Sequence, residues 1–391
     1  MLLGGSVNAL WVARSMARAG VPVHALADGI SPSLVRHSHA VAGFVDVSSA
    51  ASAQDEWLAW LPSGPPGAVV LPCGDAGVEF IATHRWLLLS LGYRPVEADD
   101  EVALALLDKA RTSALAEAVG IDAPRTFVLR AADDLDDVAA KFDFPCALKP
   151  LHSHRDTHRV GAKALVVHDA GELRRESLRL QSMDVASLVT EIIPGPESGY
   201  CSYYTYLAAD GSPLLHFTKR KPRQYPIGFG WGCFHETGWE PEAREIGLHF
   251  LQGVGVRGLA FVEFKRDARD GHLKLIECNP RLSAANELVR LAGVDLAMLA
   301  YERAMGNGGP RFGPWRSGLR EWYPLADTRA CIALSRAGEL SLGTWARSLT
   351  PPLHLPIFDR RDLQPSLVNA LRRSRRLVDA VRIRTRPGQP G

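Results

Sequence analysis

Apolar positions in the first 95 residues fall into short runs separated by helical stretches. Leu2-Leu3 opens a strand, the turn Gly4-Gly5-Ser6-Val7-Asn8 follows, and a helix is predicted from about Ala9 to Ala19, closed by Gly20. Val21-Pro22-Val23-His24-Ala25-Leu26 begins the next strand. Val69-Val70-Leu71-Pro72 is another, ending in Cys73-Gly74-Asp75 ahead of a helix that carries His84 and Trp86. Strands and helices in alternation predict a small parallel α/β unit. Its opening strand is so short that a truncated chain start is expected. The first turn lacks full GxGxxG spacing and no acidic residue is placed to read a ribose, so dinucleotide binding is not expected.

From residue 99 the pattern changes. Residues 99–119 read as helical, broken by Gly120. Segments 124–129, 144–150, 164–167 and 187–193 read as strands, with a polar helix at 133–142. Segments 200–208 and 214–219 form a hairpin through Asp210-Gly211. Residues 219–232 read as a basic loop rich in glycine and proline, and 241–252 as a helix. Two further strands, 258–265 and 272–278, are joined by a polar turn. Gly306-Asn307-Gly308-Gly309-Pro310 reads as a linker to a small appended region containing Trp315, Trp322 and Trp345.

Composition narrows the classes. With 391 residues there is room for two or three domains. No apolar run approaches the roughly 20 residues of a membrane helix, and Met1-Leu2-Leu3-Gly4-Gly5 has neither the basic nor the long apolar part of a secretory signal. A formal net charge of +2 creates no field that calls for nucleic acid. The six cysteines are never spaced as CxxC, which fits a reducing cytoplasm and suggests no zinc or dithiol site. Charge is uneven only at the end, where nine arginines stand against three aspartates between Asp359 and Arg386. Such a stretch is a solvated basic surface or a contact for an anionic partner.

The residues that carry chemistry lie in the last strand pair. Alternation along a strand lets Glu277, Asn279 and Arg281 share one side, while Val262 and Phe264 flank Glu263 and point the other way. Two carboxylates and an amide oxygen on one face suit Mg²⁺, which takes hard oxygen ligands and keeps the rest of its shell for phosphates and water. Lys109 at a helix start and Lys149 at a strand end are placed to reach phosphates as point charges. In Thr190-Glu191-Ile192-Ile193-Pro194-Gly195-Pro196-Glu197 a strand end could offer backbone groups to a base edge, with a carboxylate beyond it for ribose hydroxyls. The basic loop, with Arg223 and then Lys221 as first choices, suits an acid substrate, and its glycines suit closure over the reaction. His152, His154 and His158 read as a polar loop rather than a metal site.

In this order these residues resemble the ATP-grasp superfamily over roughly residues 106–306, most nearly the ATP-dependent carboligases beside the D-aspartate ligase and carbamoyl-phosphate-synthase-like groups. The resemblance implies a mixed α/β and α+β chain: two α+β subdomains clasping ATP, preceded by a small parallel α/β domain. It divides the chain into 1–95, the preceding domain; 96–190, the small subdomain; 191–306, the large subdomain with the metal site; and 307–391, the appended region with its basic tail. It implies that Lys109 and Lys149 contact ATP phosphates and that Glu191, Ile192 and Ile193 border adenine. Glu197 would bind ribose, Glu263, Glu277 and Asn279 would hold one or two Mg²⁺, and Arg281 would steady the acyl phosphate. One departure stands out: the usual Gly-rich phosphate loop is replaced by residues 151–161, where Lys163 beyond it could supply charge instead. The implied reaction is a cytoplasmic carboxylate–amine ligation through an acyl phosphate. Its substrates are small acids and amines, amino acids among the candidates, with no nucleic acid or membrane partner and a homodimer allowed for. A small-molecule kinase, a carboxylating enzyme or a nucleotide-binding pseudoenzyme are the alternatives.

Overall fold

The computed structural model describes residues 1–5, 7–30, 33–130, 135–151, 156 and 159–384. His152, His154 and His158, and most of the segment expected to replace the phosphate loop, lie outside them.

The N-terminal unit is a parallel sheet in the order β3-β2-β1-β4-β5, built from β1 (Leu2–Leu3), β2 (His24–Leu26), β3 (Gly43–Val45), β4 (Val69–Pro72) and β5 (Arg94–Pro95). Its central strands β1 and β4 are apolar on both faces because helices cover both faces. Leu2 and Leu71 face one core cluster, while Leu3 and Val70 face another around Trp57 and Phe80. Asp75 begins the helix Asp75–Ser90 directly after β4, which puts it at the carboxyl edge of the sheet.

A second, antiparallel sheet runs β6-β9-β7-β8, from β6 (Thr126–Val128), β7 (Cys146–Pro150), β8 (Leu165–Val167) and β9 (Ser187–Glu191). The helical segment ahead of it is two helices, Asp100–Leu107 and Lys109–Ala118. The break falls at Asp108, which is extended and whose carboxylate accepts from the N–H groups of Ala110 and Arg111.

The third sheet is the platform of the molecule, in the order β14-β13-β10-β11-β12-β15-β16. Its strands are β10 (Tyr200–Leu207), β11 (Phe217–Tyr225), β12 (Trp231–Thr237), β13 (Gly258–Arg266), β14 (Leu273–Asn279), β15 (Arg320–Trp322) and β16 (Leu353–His354). Ala260, Val262 and Phe264 share a buried cluster with Ala116 of the helix Lys109–Ala118 and with Ala243, Phe250 and Leu251 of the helix Pro241–Gly253. The alternate positions, Phe261, Glu263 and Lys265, therefore take the opposite face.

Two expectations are corrected here. Residues 219–225 are not a loop: they belong to β11, which pairs with β10 on one side and β12 on the other. The alternation Lys219, Lys221, Arg223 is strand-like, and its basic side chains are buried rather than solvated. The region after residue 307 is not a separate appendage either. β15 pairs antiparallel with β12, and β16 pairs parallel with β15, so the C-terminal segment completes the platform. The chain then crosses back to the N-terminal unit, where Arg14 Nε donates to Asp362 at 2.8 Å in a buried pair.

Candidate active site

The β13–β14 register sets Glu263 directly opposite Glu277 and Phe261 opposite Asn279. A bulge follows Glu263, so Phe264 pairs with Leu275 and Ile276 is the extra residue. Glu263 is half-buried and Glu277 exposed, both on the face away from the apolar cluster. Asn279 is buried, and its Oδ1 accepts from Arg281 Nη2 at 2.8 Å. Arg281 Nε donates to Asp75, tying the strand that carries Glu277 and Asn279 to the N-terminal unit. Lys221 does not project from a loop. Its Nζ donates to Glu263 Oε1 at 2.6 Å and lies 4.0 Å from the centre of the Tyr200 ring.

Three lysines gather across from these oxygens. Burial, and then the charge of Lys109, lower the Lys149 ammonium to about 8; Lys163 adds to the fall and Glu277 opposes it. Lys109, Lys163 and Glu277 thus all act on Lys149 through space. Lys149 sits 5.0 Å from the centre of the Phe229 ring, which belongs to the turn between β11 and β12. The second sheet and the platform meet at this point. Because Lys149 is charged below its pKa and neutral above it, its attraction for phosphate is present at neutral pH and lost as pH rises through about 8. Titration calorimetry with ATP should therefore show affinity falling above pH about 8. Lys149→Arg should remove that break, since a guanidinium stays charged throughout.

The strand-end segment is arranged as follows. Glu191 ends β9, its N–H bonds the Arg125 carbonyl at 2.9 Å, and its carboxylate pairs with Arg269 at 2.6 Å. Ile192 is half-buried and Ile193 buried. Glu197 is buried; its Oε1 accepts from the Gly228 N–H at 3.3 Å, while Oε2 is buried with no hydrogen-bond partner among the described residues. Burial raises its pKa. An acceptor left over in this way fits a hydroxyl-bearing ligand such as a ribose. The pair Glu263 and Glu277 with the Asn279 amide is likewise a hard-oxygen set of the kind Mg²⁺ takes.

Arg223 is a further correction. It is buried, donates to Asp327 through Nε at 2.5 Å and Nη2 at 3.1 Å, and also bonds Ser348 Oγ at 3.0 Å. Its guanidinium covers the Phe234 ring at 4.0 Å. It fastens the C-terminal helices to the platform and is not presented to a substrate. Two residues of the site were missed by sequence reasoning. Asp75 could have been found from its place just past an apolar strand at the carboxyl edge of a parallel sheet, where such folds place functional groups. Phe229 carries no such signal, because its position over Lys149 depends on the closing of the β11–β12 turn.

No protein-family model matches the sequence. The chain is 25% identical over 255 residues to the D-aspartate ligase of Enterococcus faecium, a match covering 61% of this chain and 59% of that protein. It is 28% identical over 228 residues to a D-alanine–D-alanine ligase of Stutzerimonas stutzeri, covering 54% and 69% respectively. The chain thus spans less than two thirds of the length of the D-aspartate ligase. Among solved structures it is similar to the biotin carboxylase domain of the Hydrogenobacter thermophilus 2-oxoglutarate carboxylase, solved as a dimer with MgADP, ADP and bicarbonate. The TM-score is 0.63 at 16% identity, covering 82% of this chain and 72% of that one. The fold is that of the ATP-grasp enzymes. Within that fold, the relatives in sequence include D-aspartate and D-alanine–D-alanine ligases.

Proposed function

We propose that this chain spends ATP to activate a carboxylate as an acyl phosphate and then joins it to an amine. The single observation that carries the reading is the register placing Glu263 opposite Glu277 on the open face of the platform, with Glu277 within electrostatic reach of Lys149. In this reading Lys149, Lys109 and Lys163 hold the ATP phosphates. The backbone at Glu191, Ile192 and Ile193 borders the base, and Glu197 takes a ribose hydroxyl on its unpartnered oxygen. Glu263, Glu277 and Asn279 would hold one or two Mg²⁺, which supply charge neutralisation for the transferring phosphoryl group. The substrate carboxylate attacks the γ-phosphorus and ADP leaves. An amine then attacks the acyl phosphate and expels phosphate. Arg281, fixed by Asp75 and Asn279, steadies the oxyanion of that second step.

Six free, buried cysteines support placing the protein in a reducing cytoplasm. Among the described residues no helix is long and apolar enough to cross a membrane. The dimeric state of the similar carboxylase domain supports a homodimer. The test is ADP release measured over pairs of small acids and amines, amino acids included. ADP formation that needs both partners is the expected result. ADP formed with an acid alone, leaving a stable phosphorylated product, would mark a kinase and overturn the reading.

A further inference from the structure

The basic C-terminal stretch, which the ligase reading leaves without a task, forms the helix Gln364–Arg384. Its first turns are docked. Arg14 pairs with Asp362 just ahead of it, and Ser366 Oγ donates to the Ile357 carbonyl at 2.9 Å. Pro365 is buried, and Val368 packs against the core cluster that contains Leu2 and Leu10. These contacts fix which way the rest of the helix surface points. Leu363, Leu367 and Leu371 fall one turn apart on the outer side and are 47%, 60% and 63% exposed. Ala370 and Ser374, on the same side, are exposed too. Asn369, Arg372 and Arg373, on the inner side, are half-buried. Helical period carries the outer stripe on through positions Leu377, Val378 and Val381.

A surface helix ordinarily turns its apolar stripe toward the core. One that turns it outward presents a contact surface. The charge around the stripe says what kind of partner fits. Residues 364–384 hold six arginines against the single Asp379, and Arg360 and Arg361 stand just ahead of them. By helical period, positions Arg375 and Arg382 border the stripe on one side, and Arg373 and Arg384 on the other. The partner is therefore apolar where it meets the leucines and negative on both flanks. A second copy of this helix meets the first demand and fails the second, because it sets six arginines against six. We propose that this helix lies flat on an anionic lipid surface, with its leucines among the acyl chains and its guanidiniums at the headgroup phosphates. At 21 residues the helix is about 32 Å long, and all of that length lies in the plane of the surface. The expectation of no membrane partner concerned spanning segments, and a helix lying on the surface needs none.

The experiment is flotation of the full chain with two kinds of vesicle: phosphatidylcholine alone, and phosphatidylcholine with roughly one third phosphatidylglycerol. The expected result is that the protein floats with the anionic vesicles and not with the neutral ones, and that flotation falls as salt rises. Leu367→Ser/Leu371→Ser should weaken anionic-vesicle binding by roughly 10- to 100-fold. Arg375→Gln/Arg376→Gln should weaken it by roughly 30-fold and flatten the salt dependence. Both leucines are exposed, so the fold should be kept, and circular dichroism checks it. If the leucine variant does not fold, the comparison of the two vesicles with the wild-type chain carries the test. Unchanged binding by a folded leucine variant would mark a contact of charge alone and overturn the proposal. Equal flotation with both vesicles, or none with either, does the same. Binding to polyglutamate without flotation would point to an acidic protein instead, and a dimer that dissociates in the leucine variant without flotation would make the stripe a self-contact; each overturns the lipid assignment. ADP release, measured without vesicles, tests the ligase reading separately from all of these.

Discussion

Replacing Glu277 with alanine should cut ADP release by roughly a thousandfold or more, while the protein stays folded. The expected size follows from what a divalent cation contributes to phosphoryl transfer, several kcal/mol of charge stabilisation, lost when one of two carboxylates is removed. The fold should survive because Glu277 is exposed and makes no ion pair among the described residues. Surface changes of this kind cost within about 0.5 kcal/mol. Steady-state ADP release and a urea melt, run on the same preparation, separate the two effects. Turnover close to wild type in this variant would remove the metal assignment and with it the reading of the β13–β14 pair.

The largest effect on stability should come from Asp327. It is fully buried and accepts from Arg223 Nε and Nη2 at 2.5 and 3.1 Å, from Trp322 Nε1 at 3.0 Å and from Trp345 Nε1 at 2.8 Å. Asp327→Ala leaves a buried guanidinium with no counter-charge and two indole donors with no acceptor. Breaking one side of such a pair costs about 3–5 kcal/mol. Replacing both partners with leucine removes the unpaired charge, so Arg223→Leu/Asp327→Leu should recover part of that loss. Urea unfolding measures both. A single variant that melts with the wild type would show that the pair does not hold the C-terminal helices on β11. It would also reopen Arg223 as a substrate contact.

The sequence made the β13–β14 pair readable because two glutamates interrupt otherwise apolar strands, and a period of two leaves them only one common face. Lys109 and Lys149 were readable because each sits at the end of a clear element. Segment 219–232 misled for a physical reason. Lysines, arginines, glycines and prolines read as solvated loop, yet Lys221 and Arg223 are buried against Glu263 and Asp327, partners 42 and 104 residues away. A buried basic strand announces itself only through its counter-charges, and those lie in other elements. β15 and β16 were missed because they are three and two residues long, too short for any period to show.

The completion of the platform by β15 has a practical consequence for anyone dividing this protein. A fragment cut at the glycine-rich stretch near residue 307 would bare the backbone of β12 and strip Arg223 of its carboxylate. An open strand edge of that kind invites other chains to add to it. A graft of the nucleotide-clasping part onto another scaffold has to bring residues 307–391 along, or supply a substitute strand for them.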